Sequence, residues 1–131
     1  MLYCGKGERA WRNGERISVS SVTACENALV ATGFPYEIAS RVDEILERMR
    51  PVLSSCQGVR RCGAAALDLA WTACGRFDAF YEDELKPWDM AAGALLVTEA
   101  GGSISNLDGS PFDLRWSILA GNKAMHELIG K

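Results

Sequence analysis

From residue 28 onward the chain alternates short apolar runs, each closed by a turn residue, with segments long enough to be helices. Strands separated by helices of ten or more residues are the pattern of βαβ units, which lay down a mostly parallel sheet covered by helices. Residues 28–32 are a short apolar strand ended by Gly33. Residues 35–53 form a helix in which Ile38, Val42, Ile45, Leu46, Met49 and Leu53 recur at helical spacing as one buried stripe, with charged residues elsewhere. Residues 59–62 read as a strand. Residues 64–74 make an Ala- and Leu-rich helix with Gly75 at the position past its end. Residues 77–81 alternate apolar and polar as a strand, and the helix over 89–100 stops at Gly101-Gly102. A strand or hairpin around Ile104 and Asp108-Gly109, a strand at 116–120 and a helix at 122–129 complete the chain.

Residues 1–20 have a different character. Gly5, Gly7 and Asn13-Gly14 are turn signals, and Asn-Gly ahead of Arg16-Ile17-Ser18-Val19 is a strong hairpin cue. This stretch is expected to be a remnant hairpin of an antiparallel sheet whose partner strands are missing, with residues 21–131 as an α/β domain.

At 131 residues the chain is long enough for one domain with a real core. A net charge of −3 and a pI near 5.2 argue against nucleic-acid and anionic-membrane surfaces. No apolar run approaches the roughly 20 residues of a membrane span. Five cysteines without a CxxC pair read as reduced thiols in a cytoplasmic setting, most of them buried as small hydrophobes. Cys62 is set apart because it precedes the Gly63 turn. Trp71 and Trp88 are expected in the core.

Function concentrates in residues 81–102. An exposed acidic cluster runs into Pro87-Trp88-Asp89 and then a small-residue helix, placing the Asp89 carboxylate at a positive helix end. A carboxylate there can hold a hard cation while the helix end faces an anion. Glu82 is a second carboxylate at a strand end, where α/β sheets bind ligands. Gly63-Ala64-Ala65 opens a helix directly after a strand, and small residues there let an anion approach backbone N–H groups. Arg60 and Arg61 could meet a phosphate. The plain alternatives are a helix cap for Asp89, a solvated turn for Glu82-Asp83-Glu84, close packing for the small residues and surface charge for the arginines. His126 reads as a surface residue.

Trp88-Asp89-Met90-Ala91-Ala92-Gly93, followed by Glu99-Ala100-Gly101-Gly102, closely resembles the C-terminal signature of the inositol monophosphatase family. Arg61-Cys62-Gly63-Ala64-Ala65-Ala66-Leu67-Asp68-Leu69-Ala70 and Gly75-Arg76-Phe77-Asp78-Ala79-Phe80-Tyr81-Glu82 resemble two further family segments, and the likeness extends over essentially the whole chain. The resemblance implies the C-terminal half of a layered αβαβα fold and Mg²⁺-dependent hydrolysis of phosphate monoesters, inositol phosphate among them. It implies that Asp89 is a metal ligand that also contacts substrate hydroxyls, that Glu82 binds hydroxyls, and that Gly63, Ala64 and Ala65 line the substrate pocket. Ala64 departs from the family's usual Ser or Thr.

The family's Gly-Glu-x-x-Glu and Asp-Pro-Ile/Leu-Asp-Gly-Thr segments, which carry most metal ligands, do not occur in this sequence. No catalytic group is therefore assigned within the chain, which by itself is expected to be inactive. The resemblance also implies a homodimer. The rival readings are a non-catalytic module of the same fold, and a family phosphatase acting on histidinol phosphate, a sugar bisphosphate or a nucleotide bisphosphate.

Overall fold

The computed structural model describes residues 1–130. Three short strands, β1 (Leu2–Cys4), β2 (Ala10–Arg12) and β3 (Glu15–Arg16), form a small antiparallel sheet in that spatial order. Asn13 and Gly14 both take positive φ, 50° and 82°, the left-handed pair that matches a two-residue turn to strand twist. The hairpin therefore lies between β2 and β3, with Trp11 opposite Arg16, and β1 adds a third strand.

A second sheet of five strands follows. It comprises β4 (Leu29–Thr32), β5 (Gly58–Arg60), β6 (Ala79–Glu82), β7 (Ser103–Ser105) and β8 (Ile118–Gly121), in the order β5-β4-β6-β8-β7. Four α-helices cover it: α1 (Val42–Ser55), α2 (Ala65–Ala73), α3 (Pro87–Glu99) and α4 (Lys123–Ile129). β4 is parallel to β5 and β6, whereas β8 is antiparallel to β6 and β7. The α/β class stands, but the sheet is mixed rather than mostly parallel. No helix separates β7 from β8, so the two meet as antiparallel neighbours across a loop instead of through a crossover.

The sheet is buried on both faces, and period-two alternation divides its side chains. Ala31, Phe80 and Ala120 join Leu69, Met90 and Val97 in one cluster under α2 and α3, while Val30, Ala79 and Leu119 join Val52 and Met125 in the other, under α1 and α4. β6 therefore reads as a continuous buried run, Ala79-Phe80-Tyr81, rather than the alternating strand expected. α2 and α3 make the most extensive helix pair. Gly93 is what lets them close: a Cβ there would stand 2.4 Å from the Leu69 Cβ. The small antiparallel sheet packs on α3.

Several boundaries move. α1 begins at Val42, after a 3-10 turn at Ala39–Arg41, because the chain ahead of it is spent on a loop. Only part of its predicted stripe is turned inward: Ile45 and Met49 are half-buried, Ile38, Val42, Leu46 and Leu53 are between 39% and 59% exposed, and the buried residue of the helix, Val52, lies outside the predicted stripe. Trp88 is 78% exposed and not in the core. Trp71 is half-buried edge-on against Phe77, with ring centroids 5.7 Å apart. All five cysteines carry free thiols; four are half-buried and Cys62 is exposed, so none is the buried filler expected. Among the described residues, no helix is long and apolar enough to cross a membrane.

Candidate functional site

Three parallel strands, β5, β4 and β6, deliver their C-terminal ends to one side of the sheet, the end at which open α/β sheets bind ligands. After β5 the chain turns at Gly63, whose φ of +88° favours glycine. Ala64 then takes the N-cap position of α2 with φ −142° and ψ 95° and no side-chain acceptor to offer. The first helical donor is the Asp68 N–H, bonded to the Ala64 carbonyl at 2.9 Å. Among the described residues the N–H groups of Ala65, Ala66 and Leu67 have no backbone acceptor, which leaves a patch of free donors at the start of α2.

Glu82 ends β6. Its carboxylate fits against Gly33 at the end of β4, where a Cβ would stand 2.1 Å from Oε1. Burial pushes the Glu82 carboxyl up to about 7; Asp68, Asp83 and Asp89 add to the rise and Arg61 opposes it. Asp68, 1% exposed, is raised to about 6, mainly by its own burial, and its Oδ1 has no hydrogen-bond partner among the described residues. The sequence reading does not single out Asp68. Its signal was a carboxylate set inside an otherwise apolar helix, Ala65-Ala66-Leu67-Asp68-Leu69-Ala70.

Asp89 lies in the first turn of α3, two residues inside Pro87. The Lys86 N–H donates to its Oδ2 at 2.9 Å, and the Asp89 N–H returns a bond to the Lys86 carbonyl, also at 2.9 Å. Capping is therefore part of its work, as the plain alternative held. Its other oxygen, Oδ1, accepts no hydrogen bond among the described residues and is left for the cleft.

Gly63, Ala64, Ala65, Glu82 and Asp89, the five residues to which the resemblance assigns metal or substrate, line one cleft of about 380 Å³. Phe34, Pro35, Tyr36 and Ile38, from the loop after β4, form the facing wall. Arg61 reaches across the mouth, its guanidinium carbon 6.0 Å from the Phe34 ring centre. The cleft thus combines four acidic side chains, of which Asp83 and Glu84 are paired with Arg41, with a second cation and a helix start, and Glu82 and Asp89 are left to meet a small ligand bearing both hydroxyls and an anionic group.

Two expectations fail nearby. The acidic cluster is not solvated: Asp83 is 5% exposed and bonded to two arginines, because its strand-end position turns it toward α1. His126 is half-buried rather than on the surface, with Nε2 2.9 Å from the Ser105 hydroxyl. Arg60 stays exposed and outside the cleft.

Mg²⁺ takes near-octahedral oxygen coordination. Among the described residues, no three or more His, Cys, Asp or Glu side chains come together in a way that could hold a metal ion. Asp89 can donate one ligand. The residues present do not by themselves fit the ion.

The rest of the signature has structural work. The Glu99 carboxylate accepts the N–H groups of Gly7 at 2.7 Å and Arg9 at 3.0 Å, pinning the loop between β1 and β2 onto α3. Gly101 closes α3 with φ +86°. Asp78, ahead of β6, accepts the Leu29 N–H at 2.6 Å and sets the β4–β6 register.

Comparison with known proteins matches this chain over residues 1–131 to the model of the inositol monophosphatase family. A Pseudomonas aeruginosa protein named Nus factor SuhB is 48% identical over 89% of this chain and 44% of its own length. An inositol-1-monophosphatase of Caulobacter vibrioides is 41% identical over 98% of this chain and 52% of its own. Among solved structures, extragenic suppressor protein suhB from Bartonella henselae superposes with a TM-score of 0.93 at 38% identity, covering 98% of this chain and 50% of that one. The inositol monophosphatase of Anabaena gives 0.92 at 37% identity, covering 98% and 52%. The chain spans about half the length of these relatives and superposes on half of their fold. With sequence, fold and whole-length family match in agreement, this chain belongs to the inositol monophosphatase family.

Proposed function

We propose that this chain supplies the substrate-facing wall of an inositol-monophosphatase-like, Mg²⁺-dependent phosphate monoester hydrolase working in the cytoplasm. The observation that carries the reading is the convergence of Glu82, Asp89 and the start of α2 on one cleft. Glu82 and Asp89 accept hydrogen bonds from substrate hydroxyls. The N–H groups opening α2, with Arg61, favour the anionic end of the same molecule. Asp89 is one metal ligand; the remaining ligands and the water-activating group come from outside these 131 residues. Ala64 puts no hydroxyl into the cleft, so substrate selection rests on Glu82, Asp89 and the Phe34 wall.

A chimera joining this chain to the N-terminal half of the Caulobacter enzyme tests the reading. It should release phosphate from inositol monophosphate when Mg²⁺ is present, and Asp89→Asn should abolish turnover. Histidinol phosphate, a sugar bisphosphate and a nucleotide bisphosphate serve as competing substrates. A folded chimera that hydrolyses none of the four refutes the proposal. A non-catalytic module is the second reading, favoured by the incomplete ligand set and by relatives named Nus factor rather than phosphatase. It requires the chimera to stay inactive while remaining folded.

A further inference from the structure

We propose that Arg41 is the positioning residue that sets the aperture of the cleft. One guanidinium spans three carboxylates: Nη2 lies 2.7 Å from Asp83 Oδ2 and 2.6 Å from Glu44 Oε1, Nη1 lies 2.7 Å from Glu84 Oε1, and Nε donates to Glu44 Oε2 at 3.1 Å. Only a planar, multi-donor head can hold that arrangement; a lysine ammonium is a single point charge. Asp83 and Glu84 belong to the loop that follows Glu82, on one wall of the cleft. On the other wall, the Arg41 N–H is bonded to the Ile38 carbonyl at 2.9 Å, at the end of the Phe34–Ile38 segment. The same residue therefore joins the two walls, through its own 3-10 turn with the preceding segment on one side and through its side chain on the other.

Two further observations show that the loop needs such a hold. Glu84 has φ +55°, a left-handed conformation that a residue with a side chain adopts at a cost. Asp83 is 5% exposed, and burial of a carboxylate requires its cationic partners. Arg48 shares the load on Asp83 at 3.0 Å but has no bond to Glu84 and none to the facing wall. It backs the loop without spanning the cleft. Arg41 lies outside the cleft lining, so it acts through the residues it holds. Its bearing on substrate choice rests on the function proposed above, whereas its control of the aperture does not.

The test uses the 131-residue chain itself. Backbone 15N relaxation should show order parameters falling below about 0.6 across residues 34, 36–38 and 82–85 together in Arg41→Lys. Strands Leu29–Thr32 and Ile118–Gly121 should keep theirs. Arg48→Ala should loosen residues 82–85 alone. Unchanged order parameters in either wall of Arg41→Lys, or a uniform loss of order through the sheet, would overturn the proposal. In parallel, myo-inositol and inorganic phosphate are titrated against the wild type and Arg41→Lys. The inositol-induced shifts near Glu82 should weaken about tenfold in the variant, while those of phosphate at Ala65 stay unchanged. Inositol that moves no resonance in the wild type counts against the substrate reading and leaves the relaxation result to decide on Arg41. Equal weakening of both ligands would show a general structural role and overturn the assignment.

Discussion

Glu82 should make the protein less stable as pH rises, and removing its charge should reverse that. Its carboxyl moves from an ordinary 4.5 in the unfolded chain to about 7 in the fold, chiefly through burial. Below 4.5 both states are protonated and burial costs nothing. Between 4.5 and about 7 the unfolded chain ionises while the folded one holds its proton, so stability falls; above 7 the full penalty applies. At 1.36 kcal/mol per pH unit the interval is worth about 3 kcal/mol, and partial solvent access to the cleft brings the expected effect nearer 1–2 kcal/mol. Glu82→Gln keeps the shape and removes the charge. Urea unfolding of both proteins at pH 4.5, 6 and 8 should give curves that coincide at the lowest pH and separate progressively, the variant becoming the more stable by about 1–2 kcal/mol at pH 8. A difference that stays constant with pH, or a variant less stable at pH 8, would refute the argument that the cleft buries a strained carboxylate.

Two other substitutions follow from local geometry. Ala64→Ser places a hydroxyl at the uncapped start of α2 and should stabilise the chain by about 1 kcal/mol, seen as a rise of roughly 3–4 °C in the melting temperature. Gly93→Ala gains helix propensity but drives a methyl to within 2.4 Å of Leu69 Cβ, so it should destabilise by about 2 kcal/mol in a denaturant titration.

Local signals carried much of this fold. Asn13-Gly14 specified its turn through two left-handed residues, and Gly75 and Gly101 marked helix ends for the same steric reason. The five cleft-lining candidates were legible as candidates because each sits at a strand end or helix start, where sequence position alone implies exposed backbone donors or a ligand-facing carboxylate. What escaped depends on contacts between distant segments. Asp83 is indistinguishable from Glu82 in a run of acids; only the approach of Arg48 from α1 and of Arg41 from the turn ahead of it turns one inward and leaves the other to the cleft. Asp68 is hidden for a similar reason, its importance lying in proximity to Glu82 across two elements. Trp88 misled in the opposite sense: a large aromatic normally implies a core, but here it stands exposed on α3 beside Asp89. The antiparallel edge of the main sheet was missed because β7 and β8 are too short for their pairing direction to show in residue pattern.

The central claim is that this chain holds a single ligand of a cation site that it does not complete. Calorimetric titration of Mg²⁺ into the 131-residue chain measures that directly. The expected result is no saturable binding below about 1 mM, with any residual heat lost in Asp89→Asn. Stoichiometric binding in the low micromolar range, or binding indifferent to Asp89→Asn, would contradict it.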